Sequence, residues 1–150
     1  MVRVKAIKAF SDNYIWCITH DENQLAWVVD PGQAAPVMTH LSQHGLTLAG
    51  ILITHHHYDH TDGVAALCEA FKGINVYGPS NSPFKGITNT LNEGDTVSVF
   101  DTEFAIIHTP GHTLDHICYL NPAAEALLIK SLNLIRRYRA AIYSGSNFYK

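Results

Sequence analysis

Charge is scarce in this chain: Asp, Glu, Lys and Arg together make up only 15% of its 150 residues, while 47% are apolar. Such a composition excludes a disordered chain and calls for a packed core. The length fits one domain, or part of a larger one, able to bury roughly 70% of its unfolded surface. Long apolar runs are missing: none approaches the roughly 20 residues of a membrane span, so no membrane role is expected. The start, Met1-Val2-Arg3-Val4-Lys5, has neither the apolar stretch nor the small-residue cleavage site of a secretory signal. A net charge of −3 gives no reason to expect nucleic acid as a partner. Cysteine is limited to Cys17, Cys68 and Cys118, an odd number with no C-x-x-C spacing, which argues against a disulfide framework. Each is flanked by apolar residues and reads as a small buried thiol, so the expected compartment is the cytoplasm. There is no internal repeat and no low-complexity tract.

What is present reads first as strands. Val2 to Phe10 alternates loosely, and Tyr14 to Thr19 and Leu25 to Val29 are aromatic and β-branched runs joined by a polar turn. Asp30-Pro31-Gly32 ends the third run. A helix follows, with Pro36 in its first turn, Val37, Met38 and Leu41 as its apolar face and Gly45 at its end. Gly50 to Thr54 is a short apolar strand of the kind buried on both faces. Val64, Leu67, Cys68 and Phe71 then fall at helical spacing, stopped by Gly73. Further strands are predicted at Asn75 to Tyr77, at Thr96 to Phe100 paired with Phe104 to His108, and at Ile117 to Leu120 paired with Ala126 to Ile129; Pro79 to Gly86 reads as loop.

Histidine is the outlier: there are ten, and His55, His56, His57 and His60 lie within six residues. Alternate residues of an extended segment point the same way, so His55 and His57 can aim at one point while His56 points elsewhere as a spacer. Asp59 and His60 come where the chain turns into a helix, so they can diverge from the first pair, an arrangement better suited to two neighbouring metals than to one. Imidazole and carboxylate both ligate zinc, and iron or manganese accept the same donors. The segment follows a buried strand, the usual edge for a site in an α/β sheet. His112, in the tight turn Thr109-Pro110-Gly111-His112-Thr113, is the best further ligand. Asp59 is read as a ligand, with an orienting hydrogen bond to an imidazole as its alternative. Asp30 is read as bracing the histidine loop, and His116 as structural or as a support behind the ligands. His20, His40, His44 and His108 are read as ordinary.

These motifs resemble the metallo-β-lactamase superfamily and, within it, glyoxalase II, the hydroxyacylglutathione hydrolases. Ser11-Asp12-Asn13-Tyr14-Ile15-Trp16 is similar to the family's D-N-Y-x-W segment and Val29-Asp30-Pro31-Gly32 to its V-D-P-G turn. Thr54 to His60 matches T-H-H-H-x-D-H. Thr109 to Thr113 with His116-Ile117-Cys118-Tyr119 matches T-P-G-H-T followed by H-I-C-Y. The resemblance covers about residues 1–129. It implies an α/β (α+β) fold, the αββα sandwich of the superfamily, here incomplete. It implies a first zinc on His55, His57 and His112 and a second on Asp59 and His60, with Asp59 also orienting the nucleophile. The implied reaction is hydrolysis of the glutathione thioester S-D-lactoylglutathione to D-lactate and glutathione, in methylglyoxal degradation.

The departures are specific. Asp62-Gly63 stands where the family has a glycine pair, and Asp115 replaces a usual glycine. The family's C-G-D, whose Asp bridges the metals, reads Lys130-Ser131-Leu132 here; no Asp or Glu follows Glu125, and no histidine follows His116. Residues 1–129 hold 5 Lys/Arg against 13 Asp/Glu, whereas 130–150 hold 5 Lys/Arg and no acid. The expectation is a partial metallo-β-lactamase-like domain over 1–129 followed by an atypical basic tail over 130–150, readable as a helix with Leu132, Leu134, Ile135 and Tyr138 on one side. The family's glutathione-binding helices would lie beyond residue 150. The second metal site would then be incomplete. Two other readings follow: a non-catalytic metal-binding fragment, and a mononuclear hydrolase of the superfamily acting on lactams or phosphoesters. Oligomeric state is not legible.

Overall fold

A computed structural model describes residues 1–121 and 126–128 of the chain. The chain opens with three strands, β1 (Val2–Ala9), β2 (Asn13–His20) and β3 (Leu25–Val29), followed by helix α1 (Ala34–His44) and strand β4 (Thr47–Leu52). Two short helices, α2 (Tyr58–Thr61) and α3 (Val64–Ala70), lead to β5 (Asn75–Pro79) and β6 (Asn89–Leu91). Four strands complete the described part: β7 (Thr96–Val99), β8 (Thr102–His108), β9 (Ile117–Asn121) and β10 (Ala126–Leu128).

The first six strands form one sheet in the order β1-β2-β3-β4-β5-β6, antiparallel across β1, β2 and β3 and parallel from β3 to β6. The last four form a second, antiparallel sheet in the order β10-β9-β8-β7. The alternation of β4 and the residue after it explains the layering. Ile51 and Ile53 point into the cluster shared with Val37, Leu41, Val64 and Leu67 of the helices. Leu52 points the other way, among Val97, Val99, Phe104, Ile106 and Tyr119 of the second sheet. All three are 0% exposed, as a strand covered on both faces requires. The described residues thus build a helical layer on one sheet and a second sheet beneath it. Among them no helix covers the outer face of the four-stranded sheet, so the expected sandwich is seen as three of its four layers.

Two details differ from the sequence reading. Met38 is 40% exposed, leaving Val37 and Leu41 as the buried residues of α1. Strand β6 is not expected from the sequence, because three residues, two of them polar, carry almost no period-2 signal. The paired strands β9 and β10 do form, in the register Leu127 to Leu120. The basic stretch 130–150 lies outside the described residues, and so do Ile129 and the Lys130-Ser131-Leu132 departure.

The two sheets are joined close to the histidine segment. Ile117, at the start of β9, donates its N–H to the Thr54 carbonyl at 3.0 Å. The buried Tyr119 hydroxyl donates to the Ile53 carbonyl at 2.7 Å. Two turns from different sheets are thereby pinned side by side.

Candidate metal centre

Residues 55–57 follow β4 outside any strand or helix and α2 begins at Tyr58. The His55 and His57 ring centroids lie 4.9 Å apart, and the His56 ring lies 5.0 Å from that of His57. The 109–116 turn brings His112 to them from the second sheet, 5.1 Å from His55 and 4.8 Å from His57, each ring nearly perpendicular to the others. Candidate donor atoms of these three imidazoles all lie within 4.8 Å of one another. Nitrogens bound to one tetrahedral zinc at about 2.1 Å lie about 3.4 Å apart, so a small contraction closes the triad on an ion. Three neutral-type donors converging without a carboxylate among them fit a zinc-like cation.

The buried Asp30 carboxylate organises the donors. Its Oδ1 accepts from the Thr54 N–H at 2.7 Å, and its Oδ2 accepts from the Thr54 hydroxyl at 2.6 Å. His60 Nδ1 lies 3.0 Å from the same Oδ2. Burial alone would raise this carboxyl; the His60 hydrogen bond, the His60 and His55 charges and the Thr54 hydroxyl together hold it below its ordinary 3.8. An ionised carboxylate only accepts, so His60 carries its proton on Nδ1 and presents Nε2 as a metal-donor atom. The Thr54 hydroxyl spends its one proton on Asp30, so the 2.9 Å contact to His55 Nδ1 has His55 donating, and His55 likewise presents the lone pair of Nε2. One carboxylate thus sets both tautomers.

The backbone around Asp30 is shaped for this. Asp30 sits in the left-handed region at φ 53°, which Asp tolerates better than most residues. Gly32 then passes so close to α2 that a Cβ would lie 2.0 Å from the Asp59 carbonyl oxygen. At Gly63 a Cβ would lie 2.5 Å from the Pro31 carbonyl, whereas Asp62 is exposed. Only the second position of the family's glycine pair is needed here, which explains why Asp62 is accommodated.

Asp59 Oδ2 lies 3.1 Å from His60 Nε2 and accepts from Asn13 Nδ2 at 2.9 Å. With the His60 proton on Nδ1, two lone-pair atoms face each other at that separation, and a shared cation between them relieves the repulsion. In sequence Asn13 is only part of a motif; its role as the anchor of Asp59 depends on a partner 46 residues away, which spacing does not reveal. His116 stacks on His55 with centroids 5.0 Å apart, and its Nδ1 lies 2.9 Å from the Thr109 hydroxyl. Burial holds its imidazole below the ordinary 6.5. His56 is no bare spacer: its Nδ1 lies 2.9 Å from Asp115 Oδ1. Burial would raise the Asp115 carboxyl, but the Thr113, His56 and Ser82 groups around it hold it below 3.8. His20, away from the centre, pairs with Asp101 at 3.2 Å. A second grouping of possible donors joins Asp30, His55 and His60, but Asp30 is already hydrogen-bonded to Thr54 and His60.

Residues 13–129 match the family pattern described as the Metallo-beta-lactamase superfamily. The chain belongs to that superfamily. Solved structures share its fold: a B3 metallo-beta-lactamase named BLEG-1 superposes with a TM-score of 0.70 at 23% identity, over 85% of this chain and 70% of that one. ETHE1 from Myxococcus xanthus does so with a TM-score of 0.68 at 28% identity, over 85% and 55%. In sequence the chain is 70% identical over 121 residues to the hydroxyacylglutathione hydrolase of Pseudoalteromonas translucida (strain TAC 125), covering 81% of this chain and 47% of that protein. It is 52% identical over 126 residues to the hydroxyacylglutathione hydrolase of Hahella chejuensis (strain KCTC 2396), covering 84% and 48%. The chain thus spans about half the length of these curated relatives. Superfamily membership and the two donor groupings support a metal cofactor. No helix among the described residues is long and apolar enough to cross a membrane.

Proposed function

We propose that this chain carries the metal-binding half of a thioester hydrolase of the hydroxyacylglutathione hydrolase type. The reaction is water plus S-D-lactoylglutathione giving D-lactate and glutathione, a step of methylglyoxal degradation. The convergence of His55, His57 and His112 from two sheets carries the reading, and the relatives at 70% and 52% identity support the substrate class. His55, His57 and His112 would hold one zinc; Asp59 and His60 offer donors for a second. A bound zinc supplies Lewis acidity toward the thioester carbonyl and toward water.

The chain's own groups do the rest. Asp30 keeps His55 and His60 in the tautomers that present Nε2. Asn13 fixes Asp59 Oδ2, which orients the attacking water by accepting a hydrogen bond. Water oxygen joins the carbonyl carbon, the C–S bond breaks, and the departing sulfur takes up a proton. The buried thiols at Cys17 and Cys118 support a cytoplasmic setting.

A second reading, a metal-binding chain without turnover, is favoured by Lys130-Ser131-Leu132 standing where the family's C-G-D would supply the acid that bridges two metals. Metal analysis and hydrolysis of S-D-lactoylglutathione, a lactam and a phosphodiester separate these readings. One tightly held equivalent of zinc, lost in His57→Ala, with turnover confined to the thioester, is the expected result. Zinc retained by His57→Ala removes the proposed triad; a full metal load with no turnover of any substrate establishes the second reading.

A further inference from the structure

His56 stays beside His57, with ring centroids 5.0 Å apart. It points into the neighbouring turn, where its Nδ1 meets Asp115 Oδ1 at 2.9 Å across 59 residues of sequence. The Asp115 side chain is 3% exposed and that of His56 36%. Each member sits among metal-ligand candidates: His56 between His55 and His57, Asp115 three residues after His112. The turn bearing His112 is tethered elsewhere through its backbone. Asn81 Nδ2 donates to the Leu114 carbonyl at 3.3 Å, His108 Nε2 lies 3.0 Å from that same oxygen, and Thr109 N–H donates to the His116 carbonyl at 2.9 Å. None of these contacts reaches the histidine segment; at the far end of the turn the His116 ring stacks on His55 and the Ile117 N–H donates to the Thr54 carbonyl. To these the Asp115–His56 bond adds a hydrogen bond from one ligand-bearing turn to the other, side chain to side chain.

We propose that Asp115 and His56 form a positioning clamp that holds the His112 turn against the His55–His57 segment at the spacing one metal ion needs. The inference rests on the metal-centre reading above. A carboxylate-to-imidazole bond is charge-assisted and stronger than a neutral one. Here it preorganises His112, which is itself exposed on a Pro-Gly turn, so less ordering has to accompany metal uptake. A glycine at this position of the turn would have no side chain to reach His56.

The test is zinc affinity and release measured on the whole chain by competition with a chromophoric chelator, for D115A, D115N, H56A and the D115A/H56A pair. Removing groups that orient metal ligands weakens metal binding by roughly 10-fold or more. D115A and H56A should each show a loss of about that size, through faster release, and the pair should be no worse than either alone. D115N keeps an oxygen to accept from His56 Nδ1 and should recover most of the affinity. Should D115A fail to fold, H56A, at a half-exposed position, decides. Unchanged zinc affinity alongside a lowered melting temperature of the metal-free variants overturns the clamp alone, as does full additivity in the pair. An unsubstituted chain that takes up no zinc overturns the metal-centre reading and, with it, the clamp.

Discussion

Replacing Asp30 by asparagine tests the logic of the centre with one atom. Asparagine tolerates the left-handed backbone at φ 53° and fills the same space, so strain and cavity terms stay small. Its carbonyl oxygen can still accept from the Thr54 N–H. At the position of Oδ2, however, an amide nitrogen now faces the Thr54 hydroxyl and His60 Nδ1, 2.6 and 3.0 Å away in the parent. Both partners must become acceptors. His60 then moves its proton to Nε2. The Thr54 hydroxyl, now accepting from the new amide, turns its proton toward His55 Nδ1, which sends the His55 proton to Nε2 as well. The two atoms needed for metal are capped by hydrogens, while the count of hydrogen bonds barely changes. Replacing charge-assisted bonds by neutral ones costs about 1–3 kcal/mol of stability. Zinc affinity should fall much further in proportion, by roughly 10- to 100-fold. Chelator competition gives the affinity, thermal unfolding of the metal-free protein gives the stability, and nitrogen chemical shifts of His55 and His60 report the tautomers. A D30N protein that binds zinc within about twofold of the parent, with Nδ1 still protonated, refutes the argument.

Other outcomes can be checked directly. Gly32→Ala drives a methyl against the Asp59 carbonyl, and overpacking of this kind should cost about 1–3 kcal/mol, read as a lower melting temperature, together with weaker binding at Asp59 and His60. Tyr119→Phe leaves the buried Ile53 carbonyl short of a donor and should destabilise by about 1–3 kcal/mol in denaturant melts; a loss below about 0.5 kcal/mol, the level of an ordinary surface change, contradicts the bond between the sheets. Because the Asp30 carboxyl is held below its ordinary 3.8 when folded, its contribution is complete above that pH and is lost as pH falls through the lower folded value. An acid-unfolding curve should therefore steepen below about pH 4 in the parent and less so in D30N. Burial pushes the Cys17 thiol up to about 11 and the Cys118 thiol up to about 12. At a pH of about 8 a disulfide reagent should label the half-buried Cys68 first, and the other two only on unfolding; rapid labelling of all three contradicts their burial.

The parts of this architecture that announce themselves in sequence are those with a local cause. The runs Tyr14 to Thr19 and Leu25 to Val29 become strands because β-branched and aromatic side chains suit a half-buried pleat. Gly50 to Ile53 is apolar throughout because both its faces are covered. The approach of His55 to His57 is legible from their i, i+2 spacing, and His112 through its turn, although the His56 ring comes equally near His57. What stays hidden has a distant cause. His56 looks idle in sequence because Asp115 is 59 residues away. Asn13 looks like one letter of a motif because the carboxylate it holds arrives only when β2 packs beside α2. Strand β6 escapes notice because pairing with β5, rather than its own three residues, makes it a strand. The tautomers of His55 and His60 require knowing that one oxygen serves both Thr54 and His60.

The welding of Ile117 to Thr54 and of Tyr119 to Ile53 bears on when the protein can first capture an ion. In the proposed centre the imidazoles at 55 and 57 ride on one sheet and the imidazole at 112 on the other, so neither sheet would grip a cation unaided. During synthesis, a nascent chain that has emerged only as far as α3 holds two of its three clasps. Capture at the proposed centre would wait for β8 and β9 to leave the ribosome and dock, which would make metal uptake a gauge of whether the two sheets have closed on each other.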